Sequence, residues 1–151
     1  MTRIRITRPA TAVCVAATLA LGACSSGGGS KAKSEVQTFL NVLDAAVRTG
    51  NTDLRLAHLH PAVIDRYGEP QCRDFLAGQQ DKTRRDQVKS VGKTESFQYA
   101  TDNQSMVISD ALPVQVRETS KGKKGDRNIH LARVNRQYTY FIDCGRPLVR
   151  Q

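Results

Sequence analysis

Ser34-Glu35-Val36-Gln37-Thr38-Phe39-Leu40-Asn41-Val42-Leu43-Asp44-Ala45-Ala46-Val47-Arg48-Thr49-Gly50 is the stretch on which the fold turns. Val36, Phe39, Leu40, Leu43 and Val47 recur at the i, i+3, i+4, i+7 spacing of an amphipathic helix. Ser34 with Gln37 three residues on is a capping-box signature, Arg48 suits the last turn, and Gly50 stands where a helix stops. A helix with one apolar face must bury it, so the rest of the chain has to supply a matching surface.

Downstream, the helical pattern continues in short pieces. Asn51-Thr52-Asp53 caps a segment with Leu54, Leu56, Ala57 and Leu59, and Pro61 opens another with Val63, Ile64 and Tyr67. Gly68 ends that one, and Pro70 starts a third presenting Phe75 and Leu76, with Cys72 on its flank, which closes near Gly78. Beyond Gln80 the period changes to two. Residues 87–100 alternate loosely around Val91, Phe97 and Tyr99, with Gly92 marking a bulge. Met106, Val107 and Ile108 resume after a turn at 101–104, and Pro113 in the following strand points to an edge or a bulge. Thr119 to Asn128 reads as a Gly/Lys-rich hairpin loop, and 129–134 and 138–142 as two closing strands. Helices first and an antiparallel meander afterwards define an α+β domain over residues 34–151.

Upstream of this domain the sequence is an address. Arg3, Arg5 and Arg8 form a basic start with no acid, and Ala10 to Leu21 is an apolar run too short to span a bilayer. The run ends in Leu21-Gly22-Ala23-Cys24, which resembles the lipobox of bacterial lipoproteins, with Gly22 a small departure from the usual Ala or Ser. The resemblance implies a signal peptide 1–23 cleaved after Ala23, and diacylglycerol and acyl chains such as palmitate on Cys24. The protein would then sit lipid-anchored on the extracytoplasmic face of the cell membrane. Loss of the three arginines takes the formal charge from +9 to +6. Residues 24–33, rich in Ser and Gly, read as the lipidated Cys and a flexible tether spanning roughly 15–18 Å as coil.

Cys14 leaves with the signal and Cys24 is used for lipid, which leaves Cys72 and Cys144. In an oxidising compartment a disulfide between such a pair is the default. A metal site is a poor competitor, because no CxxC and no histidine stands at ligand spacing, and a reactive thiol has no supporting neighbours.

The helical stripe with its Gly50 stop, the Tyr67-Gly68-Glu69-Pro70-Gln71-Cys72 turn and the closing 132–140 hairpin together resemble the nuclear-transport-factor-2-like superfamily. That group includes polyketide-cyclase-like and ketosteroid-isomerase-like domains. The resemblance covers residues ~34–146 and implies a cone-shaped, cystatin-like arrangement of helices on a curved antiparallel sheet. It also implies a pocket for a small apolar ligand at the wide end of the cone, and dimerisation through the open sheet face.

Within such a pocket His58, His60, Tyr99 and His130 are the candidate polar groups, with Asp65 and Tyr67 near the first two in sequence. The pair at 58 and 60 precedes Pro61, where helix-end duty competes with chemistry, and no third metal ligand has recognisable spacing. No catalytic residue, metal or cofactor is assigned. Lys82, Arg84, Arg85, Lys121, Lys123, Lys124 and Arg127 are candidate contacts for an anionic surface, either lipid headgroups or acidic envelope polymer. Export and the absence of interleaved aromatics argue against nucleic acid.

The expected function is a non-enzymatic ligand-binding or protein-interaction module at the cell envelope. Its partners are the bilayer through Cys24 and a small apolar ligand or an envelope protein. The alternative is a small isomerase, dehydratase or cyclase using a polar residue in the cone. Chain isolated from its own envelope is expected to carry diacylglyceryl-modified Cys24 as its first residue by intact mass. Recovery from cytosol as the unprocessed polypeptide with all thiols free would overturn the placement.

Overall fold

The computed structural model describes residues 27–101 and 104–145; the signal segment and Cys24 lie outside them. Four helices precede five strands: α1 Gly27–Thr49, α2 Thr52–Ala57, α3 Pro61–Tyr67, α4 Glu69–Ala77, β1 Arg85–Val91, β2 Glu95–Thr101, β3 Gln104–Ser120, β4 Lys123–Val134 and β5 Gln137–Tyr140. The domain is α+β, with helices on a curved antiparallel sheet. No helix among the described residues is long and apolar enough to cross a membrane.

α1 begins well before its expected start at Ser34, so Gly27 to Lys33 are helical and not a flexible tether. The costly step in a helix is its first turn. Once the packed turns from Val36 to Val47 exist, extension towards the N-terminus costs little, even through glycine. The later caps follow the sequence reading. Asn51 accepts the Leu54 N–H (3.0 Å), the ring of His60 accepts that of Ala62 (3.1 Å), and Gly68 at φ 80° separates α3 from α4.

β1 and β2 lie end to end along β3, which pairs in turn with β4, and β4 with β5. The ladder breaks opposite Pro113, inside β3 and not on an edge. In a strand the N–H and C=O of one residue point to the same side. Pro113 O accepts the Gly92 N–H (2.9 Å), so the missing N–H faces the β1–β2 break, where no ladder bond is lost. A Cβ on Gly92 would stand 2.8 Å from Pro113 Cγ, which explains the glycine. Thr119 to Asn128, expected as a loop, is strand on both sides of a tight turn at Lys121 and Gly122. Cross-strand ion pairs Arg117–Asp126 and Glu118–Arg127 hold this polar stretch in the sheet without apolar side chains.

Two apolar clusters form the core. One packs Val36, Phe39 and Leu40 of α1 on Val88, Val114, Val116 and Leu131. The other joins Leu59, Val63, Tyr67 and Leu76 to Tyr99 and the Cys72–Cys144 disulfide, and Tyr140 packs against both clusters. The disulfide closes a 72-residue separation, for which chain entropy gives up to about 4 kcal/mol.

The outer edges of β1 and β5 are occupied by hydrogen-bonding groups. Along β1, Gln37 donates to Asp86 O (2.8 Å) and accepts from the Val88 N–H (2.8 Å), while Asp44 accepts the Asp86 N–H (2.6 Å). Along β5, His60 N–H donates to Tyr140 O and Tyr140 N–H to His58 O, each at 3.0 Å. Gln37→Leu removes both the acceptor and the donor from β1 and is expected to destabilise the domain by about 2 kcal/mol. In urea unfolding this appears as a lower midpoint at unchanged slope; an unchanged midpoint would show that water replaces Gln37 at that edge.

Candidate functional site

A cavity of about 700 Å³ draws its lining from both clusters. Leu40, Leu43, Ile129 and Leu131 come from the α1 side, and Phe75, Phe97, Tyr99, Phe141 and Ile142 from the other, with Tyr140 between them. Phe97, Tyr99 and Phe141 pack at centroid distances of 5.3–6.4 Å, and His130 stacks on Phe97 at 3.9 Å. The result is one aromatic wall.

Of the four polar candidates, Tyr99 and His130 line the cavity, whereas His58 and His60 are held elsewhere. Tyr99 donates its hydroxyl to Ile142 O (2.7 Å); burial, followed by the neighbouring Tyr67, pushes this phenol well above its ordinary value. It stays neutral and structural. Tyr140 is likewise pushed up by burial, to about 12, and donates to Arg55 O (3.2 Å). His130 Nε2 lies 3.1 Å from Glu95 Oε1, which fixes the ring edge while its face serves the aromatic wall. The His58 ring meets Phe39 edge-on at 5.3 Å and lies 3.3 Å from Tyr138 O. His60 stacks on Phe141 at 4.7 Å and caps α3. The His-x-His backbone is occupied in closing the β5 edge, so the two imidazoles serve packing and capping.

The polar rim holds residues that the sequence reading passed over. Asp44 and Asp86, whose side chains are 4% exposed, share Arg84: its Nη2 lies 2.7 Å from Asp86 and its Nε 3.4 Å from Asp44. Arg84 also pairs with Glu118, and Arg127 pairs with Glu118 and, at 3.2 Å, with Asp86. Burial lifts the Asp44 carboxyl above the ordinary range, against the Asp86 N–H and Arg84, which favour its charge. Burial also works against the charge of Arg84, but Asp86, Glu118 and Asp44 outweigh it and hold the guanidinium firmly protonated. Asp86 Oδ1 has no hydrogen-bond partner and is shut off from solvent. Arg55, buried in α2, donates to Leu76 O at 2.6 Å.

Two of the seven basic candidates, Arg84 and Arg127, are therefore committed to this network. Lys82, Arg85, Lys121, Lys123 and Lys124 are exposed, and none forms an ion pair with a described residue. Asp44, Asp81, Asp86 and Asp143 balance Arg55, Arg84, Lys121 and Arg127 around the cavity, so its lining has no charge bias. Among the described residues, no group of three His, Cys, Asp or Glu side chains converges as a metal site requires.

Comparison of the chain with protein-family models, with curated proteins and with solved structures gives no match.

Burial holds the His60 imidazole below its ordinary value, with Asp65 opposing. The folded state then binds fewer protons than the unfolded state between that lowered value and about 6.5. The contribution of His60 is complete above about 6.5 and is lost as pH falls towards the lowered value. Replacing His60 by Asn keeps a capping acceptor and removes the titration. Denaturation series from pH 8 to 5 are expected to show a shallower acid-side decline in His60→Asn than in the parent. Identical declines would place the titrating group elsewhere.

Proposed function

We propose that the chain is an extracytoplasmic, membrane-anchored lipoprotein whose domain, of the nuclear-transport-factor-2-like cone type, is a non-enzymatic binding module. The cavity between the two clusters is its ligand site. The carrying observation is the composition of that cavity: an aromatic wall of Phe97, Tyr99 and Phe141 with a rim of balanced charge. Together these features favour a small, mostly apolar, uncharged molecule. Cys24 lies just ahead of Gly27, where α1 begins, so acylation there would hold the domain close to the bilayer.

An isomerase-type reading would make Asp86 Oδ1 a base and needs a partner acid. Tyr99 is committed to Ile142 O, and Asp44 has one oxygen on Arg84 and the other on the Asp86 N–H. Binding accounts for these commitments with fewer changes.

Native mass spectrometry of the full chain from its own envelope is expected to show a retained small molecule. An uncharged apolar fluorophore should occupy the emptied site with an affinity that hardly changes with salt. Leu43→Trp, which projects a bulkier ring into the cavity, should weaken that probe about tenfold or more while the protein stays folded by circular dichroism. Full probe binding in the Leu43→Trp protein would rule out this cavity as the site.

A further inference from the structure

The basic residues left out of the network are brought together by a single carboxylate. Asp81 accepts from Thr83 N–H (2.9 Å) and Oγ1 (2.7 Å), and from Ser120 Oγ (2.9 Å) and Lys121 N–H (2.8 Å), while Gly122 N–H donates to Thr83 Oγ1 (3.1 Å). These bonds, those from Thr83 foremost, hold the Asp81 carboxyl well below the ordinary carboxylate range. All four donors are uncharged, so Asp81 fuses two turns and neutralises no lysine by direct pairing. Lys82 is carried by one turn, Lys121 and Lys123 by the other, and register places Arg85 and Lys124 on either side of Thr119 in one cross-strand row. Lys123, one residue before Lys124, takes the other face of the hairpin, so the five cations surround one tip that Asp81 holds, a basic knob.

Beside the knob lies a cleft of about 420 Å³ to which Arg85 and Lys124 contribute, together with Arg48 and Arg117. Its two carboxylates, Asp44 and Asp86, are already engaged by Arg84, and Arg117 by Asp126, so Arg48, Arg85 and Lys124 are its cations without an ion pair to a described residue. Arg85 and Lys124 belong to both cleft and knob, so the two adjoin: a pocket for one anionic group, with further cations around the hairpin tip for the next groups along a chain.

Its position narrows the choice of partner. Arg48 donates to Arg84 O (2.7 Å), Gln80 to Arg48 O (3.2 Å) and Asp81 N–H to Val47 O (3.4 Å), which fixes the knob at the C-terminal end of α1. α1 has 23 residues and is therefore ~34 Å long. An anchor at Cys24 would attach at the opposite end, which puts the length of α1 between the knob and the point of membrane attachment.

We infer that the knob and its cleft bind a linear polyanion of the cell envelope, a polymer bearing phosphate or carboxylate groups, and not the headgroups of the anchoring bilayer. The polymer preference rests on the anchoring proposed above; the binding surface does not. The knob shares Lys121 with the rim of the ligand cavity, whereas Arg85, Lys123 and Lys124 do not line it.

The test uses the full chain in detergent micelles with polyphosphate as probe, and a polyuronate as the carboxylate counterpart. Binding to at least one polymer should weaken steeply between about 50 and 300 mM salt. The triple variant Arg85→Gln, Lys123→Gln, Lys124→Gln should weaken it about tenfold or more and flatten the salt dependence. Lys31→Gln, Lys33→Gln, Lys93→Gln removes the same charge elsewhere and should change binding less than about twofold. Circular dichroism identifies any variant that fails to fold, in which case Lys124→Gln alone, with a proportionate loss expected, takes its place. Equal losses in the two triple variants would reduce the effect to net charge and overturn the inference, as would no binding to either polymer. Vesicles of anionic lipid, offered to the Cys24→Ala chain, separate the sources. Vesicle binding stronger than polymer binding and lost through Arg85, Lys123 and Lys124 would assign the knob to a membrane. Absence of lipid on Cys24, with polymer binding intact, would remove the anchoring and leave the binding surface standing.

Discussion

The grip of α1 on the free edge of β1 is the constraint from which the rest of the domain follows. Gln37 and Asp44, two turns apart on one helix face, hydrogen-bond to the backbone of Asp86 and Val88. Apolar packing alone is nearly indifferent to a small slide of a helix over a sheet, whereas these bonds are not. A slip of one turn moves Asp44 by about 5.4 Å, out of reach of both Arg84 and the Asp86 N–H, and leaves a carboxylate buried and unpaired. Buried ion pairs contribute little net stability over apolar replacements, and their clearest effect is to penalise wrong registers. Here that penalty aligns the helix with the sheet, and the alignment places Leu40, Leu43 and Val47 over the cavity.

The opposite edge has a different solution with the same effect. The backbone of His58 and His60 pairs with Tyr140, Leu59 bridges to it in parallel, and the disulfide ties α4 to the segment just past β5. Edge strands with free N–H and C=O groups invite pairing with other chains, and the outer edges of β1 and β5 deny that opportunity with groups from the same chain. Closing the edges leaves room inside. Tyr140 packs against both clusters, and the cavity lies between them.

Much of this was legible from residue patterns, and the omissions have physical causes. The α1 stripe, the caps at Asn51, Pro61 and Gly68, and the change to period two beyond Gln80 appear in the structure, as does the Cys72–Cys144 bond. The stretch 119–128 was missed because its pairing is carried by charges and a side-chain dock at Asp81, which local propensity does not register. Asp44 carried a signal that was passed over. It stands four residues after Leu40 and three before Val47, on the apolar stripe itself, where a carboxylate must have partners. Asp86 alternates with Val88 in the same way. The histidines drew attention by residue type, yet their roles follow from backbone bonds to Tyr140 that no spacing rule reveals.

The charges divide into two populations with opposite physical duties. Arg84 and Arg127 face Asp44, Asp86 and Glu118 in a partly dry interior, where each charge is satisfied by a neighbour. The knob cations have no such partners and repel one another, a cost that solvent and salt reduce but do not remove. Chains usually relieve such crowding by letting lysines spread on mobile loops. This one does the reverse, using Asp81 to lock the turns that carry them and directing that carboxylate to neutral donors, not to ammonium groups. Fixing mutually repelling charges makes physical sense where an external polyanion supplies the missing counter-charge, because the ordering is then complete before the partner arrives.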